Sequence, residues 1–123
     1  TSSGTSRKCR RWEAPTLSNT LRASIVGWNK TLANEVGPDG VTVNTLLPGR
    51  IDTPRIERLD QATAERTGTT PQEARAASVK SIPVGRIGTT EEFGATAAFL
   101  ASPLAAYVTG SLIRLDGGAI KAI

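Results

Sequence analysis

The chain has 123 residues, a net charge of +4 at pH 7 and an apolar share of 38%, with only two Phe, two Trp and one Tyr; that is one domain at most, and its core is expected to be completed by something else. No apolar run of about 18 residues is present to span a membrane, and Thr1-Ser-Ser-Gly lacks the charged start and apolar stretch of a signal peptide. One cysteine, Cys9, and no histidine exclude an intramolecular disulfide and the Cys/His metal spacings, which makes a reducing cytoplasm the default.

Near the start, Arg7-Lys8-Cys9-Arg10-Arg11 stands beside Trp12, a combination able to hold phosphates and a stacked base. A short basic run without a reading element is more often a solvated loop or a surface that greets an anionic substrate, so nucleic-acid binding is not the reading adopted. Next, Leu21, Ile25, Trp28, Leu32 and Val36 recur at steps of three and four, which predicts a helix over 16–36 with one apolar face. Pro15 precedes it, Ser18 or Asn19 caps its first turn, and Gly37-Pro38-Asp39-Gly40 stops it. Gly27 in mid-helix implies a close approach by a neighbouring helix or sheet.

Residues 41–46, with β-branched Val41, Thr42, Val43 and Thr45, predict a strand that ends before Pro48-Gly49. Ligands of open α/β sheets lie beyond the carboxyl ends of the strands, so the turn Pro48–Thr53 is where a cofactor would sit. Residues 54–81 are polar, broken into two weak helical pieces at Gly68-Thr-Thr-Pro71, and such an insert after a cofactor turn is expected to be an active-site lid. Thr89-Thr90-Glu91-Glu92 forms a capping box for a helix over 89–101 that presents Phe93, Ala97 and Leu100 on one face. A final strand over 111–115 ends at Asp116-Gly117-Gly118.

Taken in order and spacing, Val41-Thr-Val-Asn44-Thr-Leu-Leu-Pro48-Gly49-Arg-Ile51-Asp-Thr53, Pro83-Val-Gly-Arg86-Ile-Gly-Thr-Thr-Glu-Glu and Tyr107-Val-Thr-Gly110-Ser-Leu-Ile-Arg-Leu-Asp116-Gly-Gly118 resemble the C-terminal half of the short-chain dehydrogenase/reductases. The branch is the 3-oxoacyl-carrier-protein-reductase-like one, and the resemblance runs from about residue 17 to residue 118. It implies an α/β fold: the C-terminal half of a doubly wound, Rossmann-like parallel sheet. No G-x-G-x-x-G turn occurs in the chain, so the N-terminal nucleotide-binding half is expected to be absent. Two strands with an unpaired edge are marginal alone; the chain is therefore a fragment, a subunit completed by another chain, or an unusual oligomer.

The resemblance further implies that Pro48, Gly49, Ile51 and Thr53 face NAD or NADP, the backbone at Ile51 bonding the nicotinamide carboxamide and Thr53 the carboxamide or a phosphate. The family's catalytic Tyr and Lys fall on Ser18 and Arg22, and its carbonyl-polarising Ser on Ser3, with Ser2 as the alternative. A serine hydroxyl is far too weak an acid to replace a tuned Tyr. Arg22 can still bond ribose hydroxyls, yet it cannot relay a proton. Tyr107 lies too far along the chain to be cast as the acid. The expected activity is oxidoreduction of a small-molecule ketone or secondary alcohol in a homo-oligomeric protein, with this chain inactive alone; the alternative is a non-catalytic, reductase-like binding or assembly protein.

Overall fold

The computed structural model describes residues 14–121. Ala14–Val36 forms a 23-residue helix, α1. It stops where Gly37–Asp39 tightens into a 3-10 turn and Gly40 takes φ +74°, with its N–H on the Gly37 carbonyl. Only glycine enters this left-handed region without cost, so the stop is written into the sequence. The inward face of α1 centres on Asn29 and Ala33, with Val26, Leu32 and Val36 half-buried beside them. Of the predicted apolar face, Leu32 and Val36 are thus half-buried, whereas Leu21, Ile25 and Trp28 point outward, 58%, 48% and 60% exposed. Ala33 lies against the turn before the last strand, since a methyl group added at Gly110 would stand 3.3 Å from its Cβ. The helix therefore offers its small and polar side to its own chain. A Cβ added at Gly27 meets nothing within 4 Å among the described residues, so the close approach expected there is not made by them.

The sheet has two parallel strands, β1 (Thr45–Pro48) and β2 (Leu112–Leu115), in the register Thr45 to Leu112 through Pro48 to Leu115. The predicted strand 41–46 is thus displaced toward the C-terminus. Val43 donates its N–H to the Thr109 hydroxyl at 3.0 Å and accepts from the Gly110 N–H at 2.7 Å, so the stretch before Thr45 is tied by a side chain and a turn rather than a regular ladder. Asn44 reinforces it: Nδ2 donates to the Val108 carbonyl at 2.7 Å and Oδ1 accepts from the Ser111 N–H at 3.3 Å. Pro48 can close the strand because the Gly49 N–H makes the bond to the Leu115 carbonyl, at 2.8 Å. The donor that proline lacks is not needed there.

Between the strands lie α2 (Pro54–Thr67), α3 (Pro71–Lys80) and α4 (Thr90–Leu100). The insert 54–81 is two capped helices packed on each other, broken at Gly68 as expected. Proline opens both, where no intrahelical N–H is required. Thr70 and Glu73 cap α3, and Thr89 and Glu92 cap α4, each pair by reciprocal side-chain-to-backbone bonds. The buried apolar residues, Ala33, Ile56, Ala64, Ala74, Ile82 and Ala105, are mostly alanines, which agrees with a core too thin for the surface it must hold together. No described helix is long and apolar enough to cross a membrane.

Candidate functional site

The site is built where β1 ends. A Cβ on Gly49 would lie 2.5 Å from the Asp116 Cα, so only glycine lets the two strand ends approach this closely. Beyond it, Gly88 donates its N–H to the Arg50 carbonyl at 2.9 Å and accepts from the Asp52 N–H at 2.8 Å. Both bonds run through the neighbours of Ile51, so its own N–H and C=O point away from Gly88. The Thr53 hydroxyl donates to that carbonyl at 3.3 Å.

Two ion pairs fasten the α2–α3 insert to this turn. Arg50 reaches Asp60 in the middle of α2, a residue only 4% exposed, and Arg75 on α3 donates to Asp52 at 2.6 Å. Ile56, Asp60 and Ala64 share the buried face of α2 at steps of four. A carboxylate on that inward period was the signal for a buried partner, and the sequence reading passed over it. Arg50 Nε and Asp60 Oδ2 carry no further partner among the described residues, as do both amide atoms of the buried Asn29.

A cleft of about 540 Å³ opens between the turn, α2 and α4. Arg22 of α1 and Pro48, Gly49, Ile51 and Thr53 of the turn line it together. The sequence had picked out all five of these positions. Arg50, Arg55, Ile56 and Leu59 close one wall, and Thr90, Phe93 and Gly94 of α4 close another. Arg55 and Phe93 were not anticipated as cleft residues. Ser18 lies within α1, one turn before Arg22, but its side chain is outside the described residues, and Ser3, with the basic run 7–11, is outside them altogether. Tyr107 is fully exposed and does not line the cleft.

Electrostatics set the frame around it. Arg86 holds Glu92 with two bonds, at 2.5 and 2.8 Å, and the Thr89 N–H donates to the same carboxylate at 2.8 Å. These bonds lower the Glu92 carboxyl to about 2, the Arg86 guanidinium contributing most. Asp116 is likewise held below the ordinary carboxylate range, because the N–H groups of Gly118 and Ile120 point at it. Among the described residues no group of His, Cys, Asp and Glu could hold a metal ion. What the cleft offers is backbone donors and acceptors, hydroxyls, apolar walls and guanidinium groups, a set suited to a polar ring system and its sugar or to an oxo compound.

Residues 2–119 match the family described as Enoyl-(Acyl carrier protein) reductase. The chain is similar to the short-chain reductase protein NovJ of Streptomyces niveus, 44% identical over 80% of this chain and 36% of that one. It is also similar to the 3-oxoacyl-[acyl-carrier-protein] reductase FabG of Vibrio cholerae, 39% identical over 79% of this chain and 35% of that one. Among solved structures, YwfH, an NADPH-dependent reductase involved in bacilysin biosynthesis, superposes with a TM-score of 0.79 at 36% identity, covering 85% of this chain and 39% of its own. The chain therefore spans little more than a third of the length of these relatives. It belongs to the short-chain dehydrogenase/reductase family, on its 3-oxoacyl-carrier-protein-reductase-like side.

Proposed function

We propose that this chain is the C-terminal portion of an NAD(P)-dependent reductase that interconverts a small-molecule ketone and a secondary alcohol, and that these 123 residues do not turn over alone. The observation that carries the proposal is the cleft, in which Arg22, Pro48, Gly49, Ile51 and Thr53 meet at the carboxyl end of β1. YwfH, which the chain resembles in fold and sequence, is an NADPH-dependent reductase. A nicotinamide fits this donor set: the backbone at Ile51 turns away from its bridge partner Gly88, the Thr53 hydroxyl stands beside it, and Arg22 has no ion-pair partner among the described residues.

In this reading the nicotinamide supplies a hydride to the carbonyl carbon, while a proton must reach the carbonyl oxygen. With the cofactor bound, Ile51 and Thr53 would orient the carboxamide, Arg22 would hold ribose hydroxyls, and Ser3, by the family resemblance, would polarise the carbonyl. Ser18 stands in the position of the family's acid, and its hydroxyl is too weak an acid to fill that role. Arg22 stays charged and cannot relay the proton. This pair favours a second reading, a reductase-like protein that binds nucleotide or takes part in assembly without catalysis.

The two are separated by Ser18→Tyr with Arg22→Lys, made in the protein as the cell produces it. Ketone reduction followed by loss of NADPH absorbance is expected to rise about 10²- to 10⁴-fold, the contribution of a positioned general acid. A parent that already reduces its ketone at ordinary enzymatic rates, or a double variant that binds NADPH and gains nothing, overturns the assignment of Ser18 and Arg22.

A further inference from the structure

The charged residues that line the cleft are all of one sign: Arg22, Arg50 and Arg55, with no Asp or Glu among them. The carboxylates nearby are sorted elsewhere. Asp52 is bonded to Arg75 and Asp60 to Arg50, while Glu57, two residues from Arg55, lines a separate small cavity with Asp60, Gln72 and Arg75. Arg50 is thereby neutralised, whereas Arg22 and Arg55 have no ion-pair partner among the described residues. Within a single helix, α2 turns its first guanidinium toward the cleft and its acids away from it.

From this segregation we propose that Arg55 is a specificity-determining residue that reads an oxyanion, a carboxylate or phosphate, on the molecule that enters the cleft. The inference rests on the reading that the cleft takes dinucleotide and oxo substrate. A guanidinium fork matches an oxyanion with paired hydrogen bonds, and it keeps its charge at every working pH. No carboxylate in the lining competes for that guanidinium. Two sources carry this chemistry: an anionic group on the substrate, and the phosphates of the dinucleotide. Arg55 rides on α2, in the insert that the sequence leads one to expect as a lid, so a bound oxyanion would hold that insert over the ligand.

The test uses the protein as the cell produces it, wild type, R55Q and R55K, with acetoacetate, its uncharged methyl ester and NADPH as probes. For a substrate anion, the preference for acetoacetate over the ester falls about tenfold in R55Q, through KM rather than kcat, and R55K recovers part of it. For a dinucleotide phosphate, R55Q weakens NADPH binding by a similar factor and leaves the acid-to-ester ratio alone. If both quantities stay within about twofold of wild type, the inference is overturned. Should wild type reduce neither oxo compound, binding is read in place of turnover. Calorimetric titration of acetoacetate and of inorganic phosphate into wild type and R55Q then decides the matter, and equal affinities for the two proteins overturn it.

Discussion

Gly49 is the residue on which the site geometry turns. An added methyl group would press on the Asp116 Cα and Cβ at 2.5 and 2.6 Å, and the first of these is backbone that cannot swing aside. Gly49→Ala is expected to destabilise the fold by about 1–3 kcal/mol, read as a lower urea midpoint with an unchanged slope. Gly27→Ala is the contrast: its side chain would meet open space within α1, and the gain in helix propensity is up to about 1 kcal/mol. A Gly49→Ala protein as stable as its parent would mean that the strand ends do not approach as described. The same scale shows what the sequence could reveal of the site. The turn at 48–53 was legible from the strand exit, whereas Arg22 and the particular role of Ile51 came only through the family resemblance. Arg50 and Asp60 were not read, since a half-buried ion pair between residues ten apart announces itself only by a carboxylate on an apolar period. Arg55 became legible only once α2 had a direction.

At the scale of elements, α4 depends on the ionisation of its own cap. Glu92 sits near 2 instead of its ordinary 4.5, with Arg86 and the Thr89 N–H as the causes. A carboxyl depressed on folding stabilises the fold fully above its unfolded value, and that contribution is lost as the pH falls toward 2. Urea midpoints should therefore decline between about pH 4.5 and pH 2, and Glu92→Gln should flatten part of the decline; Glu73, Glu91 and Asp116, also lowered, account for the remainder. Identical pH profiles for parent and variant would rule out this role. The cap of α4 was read from Thr89 and Glu92 alone. The same pattern at Thr70 and Glu73 went unread because the surrounding polarity pointed to a lid. The displacement of β1 had a different origin: β-branched residues 41–43 resemble a strand, but the Thr109 hydroxyl and the Gly110 turn claim their backbone. For α1 the period was correct, and its apolar stripe marks burial against something without saying against what.

Across the whole molecule, the feature to account for is that stripe. Leu17, Leu21, Ile25 and Trp28 run along α1, each between 48% and 66% exposed, a contiguous patch of the kind that marks an interaction site. We expect association through it, as the sequence reading did, with light scattering at micromolar concentration reporting an assembly larger than one chain. Trp28→Glu should shift the assembly toward monomer without lowering helix content. A folded monomer in the parent would contradict the expectation. The fold class was visible in the order of strand, turn, lid, capped helix and strand. The state of assembly was not, because a sequence records which surfaces are apolar and leaves open which copy or segment covers them.

The stitching of Asn44 to Ser111 joins positions 67 residues apart, and it has a consequence in time. The helices α2, α3 and α4 close on local contacts, whereas the bonds between β1 and β2 cannot form until β2 has been synthesised. At about 5–20 residues per second, that interval is roughly 3 to 13 seconds. For all of it the register between the two strands is unformed, so the pairing that brings Gly49 against Asp116 comes last, after every helix between them has been made.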